Sequence, residues 1–504
     1  CVDFKHMQWS AVHRHHVDDL KIDEEVVPIE GGFISLLKIR NHGDHKKEVK
    51  INLEVGVNMR HRNTNYHEKR YDVDKVRSLV RVKQGKDRVY FGSIKGNFKK
   101  GCRYEKHNPG FYAEHCGYVT KGGVGGTWNE VPQSKFVPGD YSVKISLKPD
   151  EEKEVPFFFS TKKLTGRKNY EDWIKDARKD YEKIRKSFDN FEYFAHIDKI
   201  ISSLYSFRTD GGFLAGYPFF NEIWVRDACW CVPGYLYMGL FNEVKEFLDT
   251  VASHIKDGKV PGMINSKKSL YNSSDTSPMW IISLYRYLDF TGDSSFSKSV
   301  VEKVKEVMDY GRSRIKDNLV DDFGYSWMDS LKRDMPIEIQ AMWARAFYCG
   351  GMILHQNGRN ANKYFKTSSE MLKEIEKRYW KKGIVDNLGN DFESPNFVFQ
   401  LALMHITKKI DGSLSKLMKK NYLTPVGIRS RPSDANGYNS KGYHTGCVWP
   451  FITMSASLAN CNYENTENVK MLMDINIANF GKQSVNGINE IFGGDNYMPL
   501  GCTS

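Results

Sequence analysis

At 504 residues the chain is longer than one ordinary hydrophobic core organises, so two or three domains are expected. Its composition is that of a soluble globular protein, and no apolar run is long enough to span a bilayer, which argues against a membrane role. A formal charge of +12 and a pI near 9.0 raise the question of nucleic acid. The lysines, however, alternate with acids in amphipathic stretches such as 167–186, which describes a solvated surface rather than a nucleic-acid site.

The first third reads as β-structure. Val49, Ile51, Leu53 and Val55 alternate with polar residues, as do Tyr141, Val143, Ile145 and Leu147. Runs at 88–92 and 154–160 add strands, and Asn41-His-Gly, Gln84-Gly-Lys and Pro138-Gly-Asp supply turns. Short strands at this spacing predict an antiparallel β-sandwich over residues 1–163. The Gly-, His- and aromatic-rich stretch 101–130 has no readable pattern.

The period then changes. Residues 168–187 form a highly charged helix with Tyr170, Trp173, Ile174 and Tyr181 as a sparse apolar stripe, a linker helix within 164–190. The next helix carries Phe194, Ile197, Ile201 and Leu204 on one face, with Asp189 or Asn190 as its cap. About eleven further helices follow, joined by loops rich in Gly, Pro, Trp and Asp. Residues 191–504 are thus expected to be an all-α toroid of helical hairpins, (α/α)6, whose last helix lies outside this chain. The nine cysteines have no framework spacing, and Cys229-Trp-Cys231 falls in a helix where neighbouring side chains diverge. Neither disulfide nor metal clamp is expected there, and a reducing, cytoplasmic setting follows.

The loops between helices hold the chemistry-bearing residues. Residues 215–230 place Arg226 and Asp227 after four aromatic rings, Tyr217, Phe219, Phe220 and Trp224. Rings offer faces to the C–H side of a sugar, while a fixed charged pair forks onto its hydroxyls. Asp275 follows Tyr271-Asn-Ser-Ser, Asp329 follows Tyr325-Ser-Trp327-Met, and Glu338 follows Met335-Pro-Ile. Arg429, then Tyr443, His444 and Trp449, then Glu490 come later. Singly each has a plain explanation: Asp275 as a helix cap, Glu338 as a first-turn acid, Glu490 as half of a buried ion pair, His444 as a satisfied polar side chain. Together they set acids beside aromatic rings in loops that a toroid gathers at one end. Hydrolysis of a glycosidic bond needs two carboxyls, one protonated and one ionised. Asp329, two residues after Trp327, has the apolar neighbour that suits an acid, and Glu490 suits a base. No His and acid residues have metal-ligand spacing, so no metal and no cofactor is expected.

Eight segments, AGYPFFNEIWVRDACW, KDGKVPGM, YNSSD, YSWMD, MPIEIQAMW, TPVGIR, YHTGCVWPF and INEIFGGD, occur in an order that resembles the amylo-α-1,6-glucosidases, the glycogen-debranching type of the glucoamylase-like superfamily. The resemblance spans about residues 165–504. It implies that Asp329 is the general acid and Glu490 the general base of an inverting hydrolysis. It also implies that Arg226 and Asp227 grip the terminal glucose of an α-glucan, that Phe220 and Trp224 flank it, and that Tyr443 and Trp449 wall the pocket. Trp327, Glu338, Asp275, His444 and Arg429 are further substrate-binding candidates. The chain departs from the family pattern with Val225 and Ala228 around the Arg-Asp pair and Thr445 after the motif His. An exo-α-1,4-glucosidase, a disaccharide phosphorylase on the same fold and a non-catalytic glucan-binding protein are the alternatives.

Overall fold

The computed structural model describes residues 3–6, 10–29, 31–57, 71–76, 78–85, 87–107, 133–162, 170–186, 188, 194–216, 220, 222–265, 268–321, 325–380, 384–404, 411–482 and 487–503. Tyr217, Phe219, Asp189, Asn190 and most of the 101–130 stretch lie outside these residues. Two compact units divide the chain, Cys1–Asp198 and Lys199–Ser504.

The first unit is built on two antiparallel sheets. The larger contains β1 (Asp3–His6), β2 (Ala11–Val17), β3 (Leu20–Ile29), β4 (Gly32–Asn41), β6 (Asp72–Val76), β7 (Leu79–Gln84), β8 (Asp87–Ser93) and β11 (Glu152–Ser160), ordered β1-β2-β3-β4-β11-β8-β7-β6. The smaller contains β5 (Lys47–Leu53), β9 (Asn97–His107) and β10 (Gln133–Leu147), ordered β5-β10-β9. Alternation along the strands points one face of each sheet inward. Val80, Val82, Phe91, Val155 and Phe157 from the larger sheet then share a core with Phe136, Tyr141 and Val143 from the smaller.

One expected turn is not a turn. Pro138-Gly139-Asp140 lies within β10, where the register to β9 shifts between Val137 and Gly139. Gly139 has φ 151°, and a β-carbon there would meet Lys99 O at 2.3 Å, so glycine supports a bulge that keeps the strand running. Helix α1 (Tyr170–Lys186) lays Ile174 against Val27 and Leu36 of the larger sheet.

The second unit is helical. After α2 (Phe194–Ser206) come α3 (Val225–Tyr237), α4 (Phe241–Ser253), α5 (Thr276–Thr291), α6 (Ser294–Ser313), α7 (Ile337–Gln356), α8 (Asn362–Tyr379), α9 (Phe397–Leu403), α10 (Asp411–Leu417), α11 (Pro450–Asn462) and α12 (Thr466–Asn479). Ten helices therefore follow α2 among the described residues, against the roughly eleven expected. Two-residue antiparallel ladders, such as Arg208–Thr209 with Gly212–Phe213, join several of them, and nothing in the sequence pattern signals these.

Packing separates the helices into two kinds. α3 packs on α5, α5 on α7, α7 on α9 and α9 on α11, so every second helix touches the next of its kind. α5 and α7 are buried almost all round, as helices enclosed by others must be. α6 and α8 instead bury one stripe, Val300, Val304, Val307 and Met308 on α6 and Tyr364, Met371 and Ile375 on α8. The N-termini of the enclosed helices carry Arg226 and Asp227 (α3), Asp275 (α5), Glu338 (α7), Asn396 (α9) and Trp449 (α11). Among the described residues no helix is long and apolar enough to cross a membrane.

Candidate active site

Side-chain contacts bring these N-termini together. Arg226, in the first turn of α3, donates from Nη1 to Asp275 Oδ2 at 3.2 Å, and its Nε lies 3.7 Å from Asp227 Oδ2. Asp275 stands at the cap position of α5, but its side chain makes no capping hydrogen bond and is given to Arg226 instead. Burial disfavours the charge on Arg226, yet Asp275 and Asp227 outweigh it and keep the guanidinium firmly protonated. Burial also raises the pKa values of Asp227 and Asp275, with Arg226 pulling both back down. Phe220 meets Trp224 edge-on with ring centroids 5.9 Å apart.

Asp329 projects from a turn before α7 and reaches solvent. The protein crowded around it raises its pKa; Arg226 opposes that rise and Asp227 adds to it. Trp327, two residues earlier, is buried, donates Nε1–H to Asn396 Oδ1 at 3.0 Å, and meets Trp449 at 5.1 Å between centroids and His444 at 5.3 Å. Ser330, one residue later, contacts His444 Nδ1 through Oγ at 2.6 Å. Burial, Arg226 and Arg333 push the His444 pKa down to about 3, so the ring is neutral.

Glu490 lies on the strand Asn489–Phe492, whose Phe492 bridges Val448, one residue before Trp449. Tyr443 donates its hydroxyl to Glu490 Oε1, and Trp449 Nε1 donates to Tyr443 O at 2.7 Å. Gly501, at φ 76° on the paired strand, leaves room for the carboxylate, since a β-carbon there would lie 2.8 Å from Glu490 Oε2. A short path therefore joins the two expected catalytic carboxyls: Asp329 adjoins Ser330, Ser330 touches His444, His444 adjoins Tyr443, and Tyr443 donates to Glu490.

Two candidates are engaged elsewhere. Glu338 is fully buried and takes both Nη groups of Arg333. Arg429 donates from Nε to Gly494 O at 3.0 Å and from Nη1 to Lys420 O and Asn421 O, so it ties down the loop that follows Glu490. Sequence reasoning missed Ser330, Arg333, Asp386 and Asn396. Arg333 and Asp386 are 53 residues apart, and no local pattern announces their pairing. Trp224 Nε1, Asp275 Oδ1 and His444 Nε2 are buried and have no hydrogen-bond partner among the described residues. Each such group costs about 1–3 kcal/mol until something satisfies it.

A family profile described as amylo-alpha-1,6-glucosidase matches residues 204–504. No curated protein matches the chain in sequence. Among solved structures, the chain is similar to a bacterial glucoamylase complexed with acarbose, at TM-score 0.62 and 14% identity over 98% of this chain and 80% of that one. It is also similar to a putative kojibiose phosphorylase from the human microbiome, at TM-score 0.52 and 12% identity over 93% and 73%. A mannosylglycerate hydrolase from Thermus thermophilus, in complex with Tris, aligns at TM-score 0.50 and 10% identity over 60% and 95%. At these identities the likeness is one of fold, an N-terminal antiparallel sheet region followed by a glucoamylase-like helical domain.

Proposed function

Because the chain belongs to the amylo-alpha-1,6-glucosidase family, we propose that it is an exo-acting glycoside hydrolase that releases glucose from the ends or α-1,6 branch stubs of α-glucans. Asp329 protonates the leaving oxygen, for which a raised pKa is the right adjustment. Glu490, oriented by Tyr443, activates water on the opposite face of the sugar. Arg226 and Asp227 hold the terminal glucose, and Asp275, itself fully buried, fixes Arg226 from behind. Phe220, Trp327, Tyr443 and Trp449 form the walls. The every-second-helix packing supports an (α/α)6 arrangement.

The observation that carries this reading is the contact path from Asp329 through Ser330, His444 and Tyr443 to Glu490, flanked by a clamp whose charge acts on Asp329. The test is product analysis on panose, maltotriose, isomaltose and limit dextrin, with the anomer of released glucose followed by NMR. Initial β-glucose is expected; initial α-glucose would rule out inversion, and no glucose from any substrate would rule out the hydrolase. A phosphorylase is the second reading, favoured by the fold shared with the putative kojibiose phosphorylase. Glu490 stands against it, because phosphate would need an anion site where that carboxylate lies; product formation that depends on phosphate would reverse the order.

A further inference from the structure

Behind Asp329 lies a polar network that the hydrolysis itself does not use. Arg333 is 2% exposed in its side chain, and its two carboxylate partners, Glu338 and Asp386, are each 0% exposed. Its Nη1 donates to Asp386 at 2.9 and 3.0 Å, and its Nη2 donates to Glu338 and, at 2.5 Å, to Ser326 Oγ. Asp386 also accepts from Ser394, from Asn396 Nδ2 at 2.8 Å and from Asn387 Nδ2 at 3.1 Å. Asn396 in turn accepts from Trp327 Nε1 and approaches Met328 Sδ at 3.2 Å.

The pattern has one direction. Ser326, Trp327, Met328, Ser330 and Arg333 are each held by contacts within the protein, while Asp329 among them stays exposed and feels the charges of Arg226 and Asp227. The backbone after the turn is held too: Met335 adopts a left-handed φ of 47°, its carbonyl taken by the Tyr379 hydroxyl at 2.6 Å, and Ile337 N donates to Asp386 O at 2.8 Å. A buried ion pair is weak evidence of added stability, because desolvation consumes much of its attraction. What such a network gives is a single geometry, and a proton donor misplaced by about 1 Å can lose about a hundredfold in rate.

We propose that Arg333, acting through Glu338, Asp386 and Asn396, is the positioning residue that fixes the turn carrying Asp329 for proton donation. It touches no substrate and supplies no proton. Glu338 is on this view a support for the acid and not a sugar contact. The assignment rests on the reading of Asp329 as general acid. The network acts by geometry, since the groups that shift Asp329 are the surrounding protein, Arg226 and Asp227 rather than Arg333 or Asp386.

The test compares substrates that do and do not need the acid. Fluoride leaves α-glucosyl fluoride as the anion and needs little protonation, whereas the sugar alkoxide leaving from panose or maltotriose must be protonated. Arg333→Lys keeps the charge but loses the fork; Ser326→Ala removes only the hydroxyl beneath the turn and guards against a first variant that fails to fold. Expected for a folded variant is a kcat on the better oligosaccharide lowered at least about tenfold, with KM and glucosyl fluoride turnover within about twofold of wild type and the alkaline limb of the pH profile unmoved. Equal losses on both substrates, or no loss in a folded Arg333→Lys, would overturn the proposal. If wild-type enzyme cleaves neither substrate, the hydrolase reading fails instead.

Discussion

The two carboxyls of the site are held by different means. Asp329 sits on a turn fixed by side chains drawn from Ser326 to Asn396, most of them charged or amide groups buried against one another. Glu490 sits on a strand fixed by main-chain bridges through Phe492, Val448 and Arg429, with Arg429 closing the next loop onto backbone carbonyls. A backbone ladder tolerates substitution of the side chains it carries. A side-chain network fails when any member is lost, because each partner left behind is an uncompensated buried charge or amide.

The largest effects should come from the carboxyls themselves. Asp329→Asn and Glu490→Gln should each lower glucose release from panose or limit dextrin by about 10²–10⁴-fold with the thermal midpoint little changed; near-normal turnover by either would remove it from the chemistry. The supports should differ next. Asp386→Ala leaves Arg333 to Glu338 alone and unpairs Ser394, Asn387 and Asn396, and should destabilise the helical unit by about 3–5 kcal/mol in urea unfolding. Arg429→Ala, which strands carbonyls and only an exposed charge, Asp495, should cost about 1–3 kcal/mol. Equal losses would erase the contrast between the two sides.

His444 gives an effect that is absent at neutral pH and has a definite sign. Its folded pKa of about 3 lies below its ordinary 6.5, so between those values the unfolded chain binds a proton that the folded one refuses. Stability should therefore fall as pH drops through this window, by at most about 1.4 kcal/mol per pH unit. His444→Gln should flatten that part of a urea-midpoint series. Smallest of all, Arg359→Ala breaks an exposed pair with Glu302 and should change stability by less than about 1 kcal/mol. That variant is the control for loss of a surface charge.

How much was legible follows the same division. The strands around Val49–Leu53 and Tyr141–Leu147 and the helix at 170–186 carry their periods in the sequence, because one face of each must be buried. Asp329, Glu490, Arg226 and Trp449 stand in short motifs whose residue types already name a chemistry. Glu338 and Arg429 look the same in sequence as residues that grip a ligand, and only their partners show both engaged within the protein. Arg333, Asp386 and Asn396 were invisible, since their meaning lies in contacts across tens of residues and no spacing rule encodes them. The Pro138-Gly139 bulge misled for a related reason: glycine marks a left-handed backbone position without saying whether the chain turns or continues.

Asp227 shows what the clamp costs the fold. Its half-exposed carboxylate is raised in pKa by the protein packed around it, a rise that Arg226 opposes. A carboxyl raised in the folded state favours folding below its ordinary 3.8 and loses that contribution as pH rises through the higher folded value, so at neutral pH the ionised group strains the protein that contains it. Asp227→Asn should accordingly raise the thermal midpoint a little, since a side chain 44% exposed is largely screened by solvent, while weakening sugar binding. In an effort to stabilise this chain by substitution, such a variant would be kept on heat resistance and lost on turnover.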